Sequence, residues 1–330
     1  MLKLKPSFYT CFARCYATHV NPGVVQQKNG DFFNIVEVGP RDGLQNEKNI
    51  ISTTDKIELI DRLSACGFKT VETTSFVSPK WVPQMADSNE VIAGCKKYLG
   101  VSYPVLVPNI SGLKRALENK NVKEIAVFGA ASESFTRKNT NCSMEESLKR
   151  LKEVTHEAIL NGLKVRGYVS TVIHCPFEGR IKPKSVASLV SDLLDFGCYQ
   201  VSLGDTTGVG SAGSVNEMLN EVLKVASPIS LAVHFHDTYG QALGNTLVAI
   251  EKGIRAGDSS VAGLGGCPYS PGATGNLASE DLVYMLNDLG IKTGINLEAL
   301  IETSDWICKK MGRNNASNVS TAVLAKKNLK

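Results

Sequence analysis

The sequence predicts an α/β fold, in the form of a (β/α)8 TIM barrel with an additional C-terminal helix. Eight short runs rich in Val, Ile or Phe alternate with amphipathic stretches between residues 33 and 290, and several of these stretches end at a glycine. A doubly wound open sheet is the competing arrangement. Eight units are many for that fold, and no GxGxxG motif follows the first strand, so the barrel is favoured.

Eight strands are predicted, each of a length usual in globular proteins. They are Phe33–Val38, Thr70–Thr74, Tyr103–Val107, Glu124–Phe128, Val165–Val172, Tyr199–Leu203, Leu231–His236 and Ser259–Gly263. Helices are predicted between them because apolar residues recur there at helical spacing. The clearest are Thr54–Cys66, Met144–Leu160, Val186–Phe196 and Val215–Val225, and helix ends are expected at Gly67, Gly100, Gly162, Gly197, Gly253 and Gly290.

The C-terminal part of the chain predicts one further helix and a loose end. Apolar residues recur at helical spacing over residues 297–312, which is the additional helix. The residues after Gly312 are polar and end in lysine, which predicts a frayed tail. No linker, repeat or low-complexity segment interrupts the sequence. We therefore expect a single barrel domain with a helical extension over residues 28–330.

The first 27 residues have the composition of an organelle transit peptide. No acidic residue precedes Asp31, whereas Lys3, Lys5 and Arg14 are interspersed with aromatic side chains. The alternative is a merely disordered start. We predict that residues 1–27 are a cleavable leader.

Composition narrows the classes of partner. The chain has 36 basic and 32 acidic residues, a formal net charge of +4, and no long Lys/Arg block, which disfavours nucleic acid. No run of about 18 uncharged apolar residues occurs, so no membrane span is expected. The nine cysteines include no CxxC pair, which indicates free thiols in a reducing compartment. A small molecule is the expected partner.

Two histidines on the seventh predicted strand are the sharpest local signal. His234 and His236 are two residues apart, so both imidazoles point to one face of the strand. Barrel active sites lie at the carboxyl ends of the strands, and Asp42 follows the first strand at the same rim. Imidazole and carboxylate ligands suit a divalent cation such as Mg²⁺ or Mn²⁺. The alternative is a hydrogen-bonded histidine pair without metal.

Further groups at this rim indicate enolate chemistry. Arg41 precedes Asp42, and its forked guanidinium suits a developing enolate oxygen or a carboxylate; a salt bridge to Glu72 is the alternative, and both can hold. Cys267 lies in a glycine-rich run, where its thiol could relay a proton or be a small buried group. No predicted strand ends in the lysine that an imine-forming aldolase needs.

Five motifs then carry a family resemblance. They are Val38-Gly-Pro-Arg-Asp-Gly-Leu-Gln-Asn46, Val71-Glu-Thr-Thr-Ser-Phe76, Ser202-Leu-Gly-Asp-Thr-Thr-Gly-Val-Gly210, His234-Phe-His-Asp-Thr-Tyr-Gly-Gln241 and Gly263-Leu-Gly-Gly-Cys-Pro268. In this order they resemble the 3-hydroxy-3-methylglutaryl-CoA (HMG-CoA) lyases of the mitochondrial type, within the DRE-TIM metallolyase group. The resemblance covers about residues 33 to 312.

The resemblance implies a carbon–carbon lyase that depends on a divalent metal. Such an enzyme splits (S)-HMG-CoA into acetoacetate and acetyl-CoA, the step that ends leucine breakdown and makes ketone bodies. It implies a homodimer in the mitochondrial matrix. The implied ligands of Mg²⁺ or Mn²⁺ are Asp42, His234, His236 and Asn276.

The resemblance also implies roles for the other rim residues. Arg41 would stabilise the enolate of the departing acetyl-CoA, and Glu72 would orient Arg41. Asp205 would lie near the substrate hydroxyl, and Cys267 would help to protonate the acetyl carbanion. The general base stays open among Asp42, Asp205 and His234, since a metal ligand is a weakened base.

Contacts to the rest of the substrate are predicted from rim position. Arg137, Lys138 and Asn139 follow the fourth strand and form a candidate CoA surface; the alternative is a solvated basic loop. Ser75 follows Glu72 closely and could touch the substrate. A Claisen-type synthase that joins acetyl-CoA to a 2-oxo acid is the rival enzyme. A catalytically dead barrel kept as a scaffold is the rival from another class.

Overall fold

The computed structural model describes residues 32–266 and 275–327. The predicted leader, residues 1–27, and Cys267 lie outside these residues. Among the described helices, none combines the length and the apolar character needed to cross a membrane.

Eight parallel strands form the inner wall of the fold. They are β1 Asn34–Glu37, β2 Thr70–Val71 with Thr74–Ser75, β3 Val105–Leu106, β4 Glu124–Ala130, β5 Lys164–Ser170, β6 Gln200–Asp205, β7 Leu231–Phe235 and β8 Ala256–Ser259. Each strand pairs with the next, and β1 pairs with β8 in the register Asn34 to Ala256. At the break in β2, the N–H of Glu72 bonds to β1 and that of Thr73 bonds to Pro104 beside β3. The sheet therefore closes into the predicted barrel.

Helices cover the outside of the barrel. They are α1 Thr53–Ala65, α2 Ser88–Gly94, α3 Ile110–Leu117, α4 Glu133–Thr140, α5 Met144–Leu160, α6 Pro183–Asp195, α7 Ala212–Val222, α8 Ala242–Glu251, α9 Ser279–Asp288, α10 Leu297–Met311 and α11 Asn318–Lys327. α4 and a small hairpin, His174–Cys175 with Gly179–Arg180, are additions at the rim. Gly67 shows why α1 ends in glycine: its φ is +108°, and a Cβ there would lie 2.3 Å from the carbonyl oxygen of Gly294.

Strand alternation separates an apolar outer layer from a polar interior. On β5, Val165 and Val169 belong to the main hydrophobic core, while Arg166 and Tyr168 point into the barrel. Within residues 32–266 and 275–327, the apolar side chains of the interior form a small cluster, which includes Leu106 and Tyr168. The interior is therefore built to hold charged groups.

Two sequence predictions are corrected. The eighth strand spans Ala256–Ser259 and not Ser259–Gly263, because Val261–Gly263 forms a 3-10 turn in which Ala262 has a φ of +57°. The tail after Gly312 is not frayed, because it forms α11. The Asp281 carboxylate accepts hydrogen bonds from the Ser317 hydroxyl and from two backbone N–H groups at the start of this helix.

Candidate active site

A tight π-helical turn, Gly39–Gly43, places Arg41 and Asp42 at the carboxyl end of β1. The carbonyl oxygen of Val38 accepts hydrogen bonds from the N–H groups of Arg41, Asp42 and Gly43 at 3.2, 2.8 and 3.1 Å. This single acceptor holds the backbone of three successive residues. Both side chains therefore leave the turn in fixed directions.

The two histidines of the β7 rim face the barrel interior together with Asp42. Their ring centroids lie 5.4 Å apart. Val233, which precedes them, and Phe235, which lies between them, pack into the hydrophobic core. One potential ligand atom from each of Asp42, His234 and His236 lies within 4.8 Å of the other two. Among the described residues this is the cluster of His, Cys, Asp or Glu that could hold a metal ion.

Asp258 on β8 orients His234. Its Oδ2 lies 3.1 Å from Nδ1 of His234, which leaves Nε2 on the side of Asp42, 3.8 Å from Oδ2. A carboxylate on the far nitrogen of an imidazole is the usual arrangement behind a metal-binding histidine. Arg166 and Ser202 hold Asp258 in turn, at 2.7 Å each.

The charges in this group follow from burial and neighbours. Burial disfavours ionised Asp258, but Arg166 and His234 outweigh it and lower its pKa to about 2. Burial and the neighbouring His234 lower the pKa of His236 to about 4. Burial likewise opposes charge on Asp42, yet Arg41 and the two histidines hold its pKa well below its usual range. An ionised carboxylate and a neutral imidazole are the forms that bind metal.

The donor set passes a test of fit to a divalent cation. Nδ1 of His236 is buried and has no hydrogen-bond partner among the described residues. Leaving a buried polar atom without a partner costs free energy, so a bound group that contacts this nitrogen would be favoured there. The Asn276 side chain also reaches this point, and its Nδ2 donates to Asp42 Oδ2 at 2.9 Å and to the Leu264 carbonyl at 3.1 Å. The residues present fit an oxygen- and nitrogen-bound cation.

Two carboxylates hold the Arg41 guanidinium. Its Nε donates to Glu72 Oε1, and its Nη1 lies 2.5 Å from Asp42 Oδ1. The Tyr168 hydroxyl donates to the other oxygen of Glu72, and the Tyr168 ring centroid lies 5.6 Å from Arg41 Cζ. Burial opposes the charge on Arg41, but Glu72 and Asp42 raise its pKa further above its usual value. The guanidinium is therefore a fixed cation in a buried setting.

The remaining predicted residues are spread around this centre. Ser75 is fully buried on β2, and its Oγ accepts the N–H of Val77. The Asp205 carboxylate turns into its own loop, where Oδ2 accepts the N–H of Gly210 at 2.7 Å. Burial raises the pKa of Asp205, and the backbone N–H groups of Gly210 and Gly208 oppose that shift.

The candidate CoA residues lie on the exposed side of α4, which follows β4 at the same rim. Arg137 forms an ion pair with Glu133 one turn earlier, at 2.7 Å. Lys138 lies over the Phe177 ring at 5.9 Å, and Asn139 is exposed. These contacts place the group at the rim and leave its ligand open.

Sequence reasoning missed Asp258, Arg166 and Tyr168. The last two carried a usable signal, because they are two residues apart on a predicted strand, as the two histidines are. Asp258 had none, since it precedes the residues predicted as the eighth strand.

Comparisons with known proteins agree with this geometry. The HMGL-like family model matches residues 33–307. The chain is 58% identical over 288 residues to the mitochondrial hydroxymethylglutaryl-CoA lyase of Bos taurus, covering 87% of this chain and 88% of that protein. It is 54% identical over 292 residues to the cytoplasmic 3-hydroxy-3-methylglutaryl-CoA lyase of Rattus norvegicus, covering 88% and 85%.

A solved structure extends the similarity to the fold. The crystal structure of hydroxymethylglutaryl-CoA lyase from Pseudomonas aeruginosa has a TM-score of 0.88 at 52% identity, covering 90% of this chain and 99% of that chain. The predicted barrel and the family resemblance are confirmed. Since the family model spans most of the sequence and these relatives are more than half identical to it, the chain belongs to the HMGL-like family.

Proposed function

We propose that this chain cleaves (S)-HMG-CoA into acetoacetate and acetyl-CoA. The observation that carries the proposal is the convergence of Arg41, Asp42, His234 and His236 at one barrel rim, in a chain whose relatives are named for this activity. The reaction breaks a carbon–carbon bond and leaves the electron pair on the acetyl thioester as an enolate. A site with a fixed cation, a base and a metal ligand set meets those needs.

Asp42, His234 and His236 would hold the divalent metal, with Asn276 as the fourth protein ligand. A mixed set of oxygen and imidazole nitrogen donors with open positions suits Mg²⁺ or Mn²⁺ better than structural zinc. A bound divalent cation would act as a Lewis acid on the substrate oxygens. Asp258 keeps Nε2 of His234 on the ligand side by its contact with Nδ1.

Arg41 stabilises the enolate oxygen of the departing acetyl-CoA. Glu72 and Asp42 fix the plane of its guanidinium, so no reorganisation is needed when charge develops. Tyr168 completes the support, because its hydroxyl holds Glu72. Arg41 thus binds the oxygen, while Glu72 and Tyr168 position it.

The hydroxyl proton of the substrate goes to a base at this rim. Asp42, Asp205 and His234 are the candidates for that base; Nδ1 of His234 contacts Asp258 and its Nε2 would bind the metal, and a metal ligand is a weakened base. Asp205 lies near the substrate hydroxyl, with its Oδ2 held by the N–H of Gly210. Cys267 delivers a proton to the acetyl carbanion, and Ser75 contacts the substrate. Arg137, Lys138 and Asn139 bind the CoA phosphates.

The test uses protein without residues 1–27, stripped with chelator and supplied with HMG-CoA. Acetoacetate is expected with Mg²⁺ or Mn²⁺ and not without. Arg41→Gln and His234→Ala should abolish it, while Arg150→Gln and His156→Ala, which change exposed residues of α5, should not. No product with any divalent metal would overturn the proposal. Release of free CoA from acetyl-CoA and a 2-oxo acid would instead indicate the synthase.

We also propose a location and an assembly. Relatives of this chain are named as mitochondrial, and one is named as cytoplasmic. Residues 1–27 act as a transit peptide that directs the chain to the mitochondrial matrix, where it works as a homodimer. N-terminal sequencing of the protein from isolated mitochondria and light scattering of that protein test the two statements separately. A mature N-terminus at Met1, or a monomeric mass, would contradict them.

A further inference from the structure

Glu37, the last residue of β1, joins two separate turns of the site. Its Oε1 accepts the N–H of Gly39 at 2.8 Å and the N–H of Val261 at 2.9 Å. Its Oε2 accepts the Ser279 hydroxyl at 2.6 Å. The side chain is fully buried, and none of these three hydrogen bonds joins it to a candidate metal ligand. One carboxyl group therefore binds two backbone segments that are more than 200 residues apart in the sequence.

Both turns carry parts of the proposed active site. The first, Gly39–Gly43, holds Arg41 and Asp42. The second, Val261–Gly263, leads into Leu264, whose carbonyl accepts the Asn276 side chain. The distance between the two turns thus sets the distance between two sides of the site.

The two turns also pack directly against each other. A Cβ on Gly39 would lie 2.6 Å from Oε1 of Glu37 and 2.9 Å from Cγ1 of Val261. A Cβ on Gly43 would lie 2.7 Å from Oγ of Ser260 and 2.8 Å from Cβ of Leu264. Such contacts leave room only for glycine, so the interface has little freedom to adjust.

We propose that Glu37 is a positioning residue that locks these two turns together and so sets the orientation of Arg41 and Asp42 toward Asn276. The inference rests on the proposed function for its kinetic part. Glu37 reaches no reacting atom and acts through the backbone of the two turns.

The lock needs an acceptor rather than a negative charge. All three groups that point at Glu37 are donors to it, and the amide oxygen of glutamine can accept two N–H groups in the same place. Burial raises the pKa of Glu37 to about 8; in the neutral acid Oε1 still accepts the two N–H groups, while the O–H at Oε2 donates to the Ser279 hydroxyl, as the amide N–H of glutamine would. A glutamine should therefore replace it, while an apolar side chain of the same length should not.

The experiment compares Glu37→Gln, Glu37→Met and a control, Val154→Ala, which removes core methyl groups on the buried face of α5, outside the barrel. Wild type and variants are assayed for kcat and KM, for Mn²⁺ affinity by titration, and for Tm. We expect Glu37→Met to lower kcat by about tenfold or more, to weaken Mn²⁺ binding by about tenfold, and to leave KM within about threefold. Glu37→Gln should restore both values. Val154→Ala should lower Tm and change neither kcat nor Mn²⁺ affinity.

Other outcomes overturn the inference. If Glu37→Met lowers Tm alone, as the control does, Glu37 is only structural; if Glu37→Gln fails as Glu37→Met does, an acceptor is not what matters. Should Glu37→Met not fold, Ser279→Ala removes one partner of Glu37 and should shift kcat and Mn²⁺ affinity in the same direction by a smaller factor. No shift there also refutes the inference. If the wild type makes no acetoacetate, the proposed function fails, and the Mn²⁺ titrations still test the lock.

Discussion

Asp258→Asn tests whether the buried carboxylate behind His234 governs both stability and metal binding. Asp258 and Arg166 form an ion pair at 2.7 Å, with both side chains almost fully buried. Asparagine keeps the shape and one acceptor but removes the charge, so the Arg166 guanidinium is left buried without its counter-ion. Breaking a buried pair in this way costs about 3–5 kcal/mol. We expect the lower end, about 3 kcal/mol, because the amide oxygen still accepts one hydrogen bond.

The same substitution should weaken metal binding. Asp258 fixes the ring of His234 and raises its basicity through the 3.1 Å contact to Nδ1. Loss of such a supporting carboxylate typically costs about 10- to 100-fold in metal affinity. Calorimetric titration of the metal-free protein with Mn²⁺ measures that factor, and urea denaturation measures the change in the free energy of unfolding.

Ser202→Ala is the matched control. It removes the hydroxyl that donates to Asp258 Oδ2 at 2.7 Å and leaves the charge in place. Its expected cost is about 1 kcal/mol, with Mn²⁺ affinity unchanged. If Asp258→Asn matches Ser202→Ala in both measurements, the carboxylate charge does not support the site and the reasoning fails.

Three further predictions concern other parts of the network. Tyr168→Phe removes the donor to Glu72 and should lower kcat about tenfold with the fold intact; an unchanged kcat would show that Glu72 holds Arg41 unaided. The pKa of Glu37 is raised from 4.5 to about 8, so its contribution to stability is full below pH 4.5 and falls as pH rises toward 8, by a few kcal/mol. Urea denaturation at several pH values should show a shallower fall for Glu37→Gln, and equal slopes would contradict the shift. Asp281→Ala removes three hydrogen bonds at the start of α11 and should lower the free energy of unfolding by about 2 kcal/mol. Trypsin should then cleave faster at Lys326, and an unchanged cleavage rate would contradict this prediction.

The sequence was informative about the rim because barrel geometry and strand alternation are both local rules. His234 and His236 had to share a face, and a residue directly after a barrel strand had to lie at the carboxyl end. These rules brought Arg41 and Asp42 toward the histidines without any distance information. The structure places Asp42 Oδ2 3.8 Å from His234 Nε2, as such convergence requires.

The eighth strand shows where local rules failed. Ala256–Ser259 contains no β-branched or aromatic side chain, because its outward position is filled from elsewhere. A Cβ at Gly257 would lie 3.0 Å from Cζ of Phe33 and 3.4 Å from Cγ2 of Val233. Apolar side chains on or next to the neighbouring strands fill this space, whereas strand propensity counts only the side chains of the strand itself. The α11 helix was missed for a similar reason, since Asp281, which caps it, lies 36 residues earlier than Ser317.

The residues that sequence reasoning missed have one feature in common: each supports a predicted residue from behind, either directly or through another missed residue. Asp258 holds His234, Tyr168 holds Glu72, and Arg166 holds Asp258. Rim residues can be found from sequence because their position alone suggests chemistry. The supporting residues come from strands far apart in sequence. The role of a charged side chain such as Arg166 is therefore evident only once its contact with Asp258 of β8 is known. The buried charges of the interior are thus connected to the rim, and changing one of them should change the geometry of the candidate metal ligands.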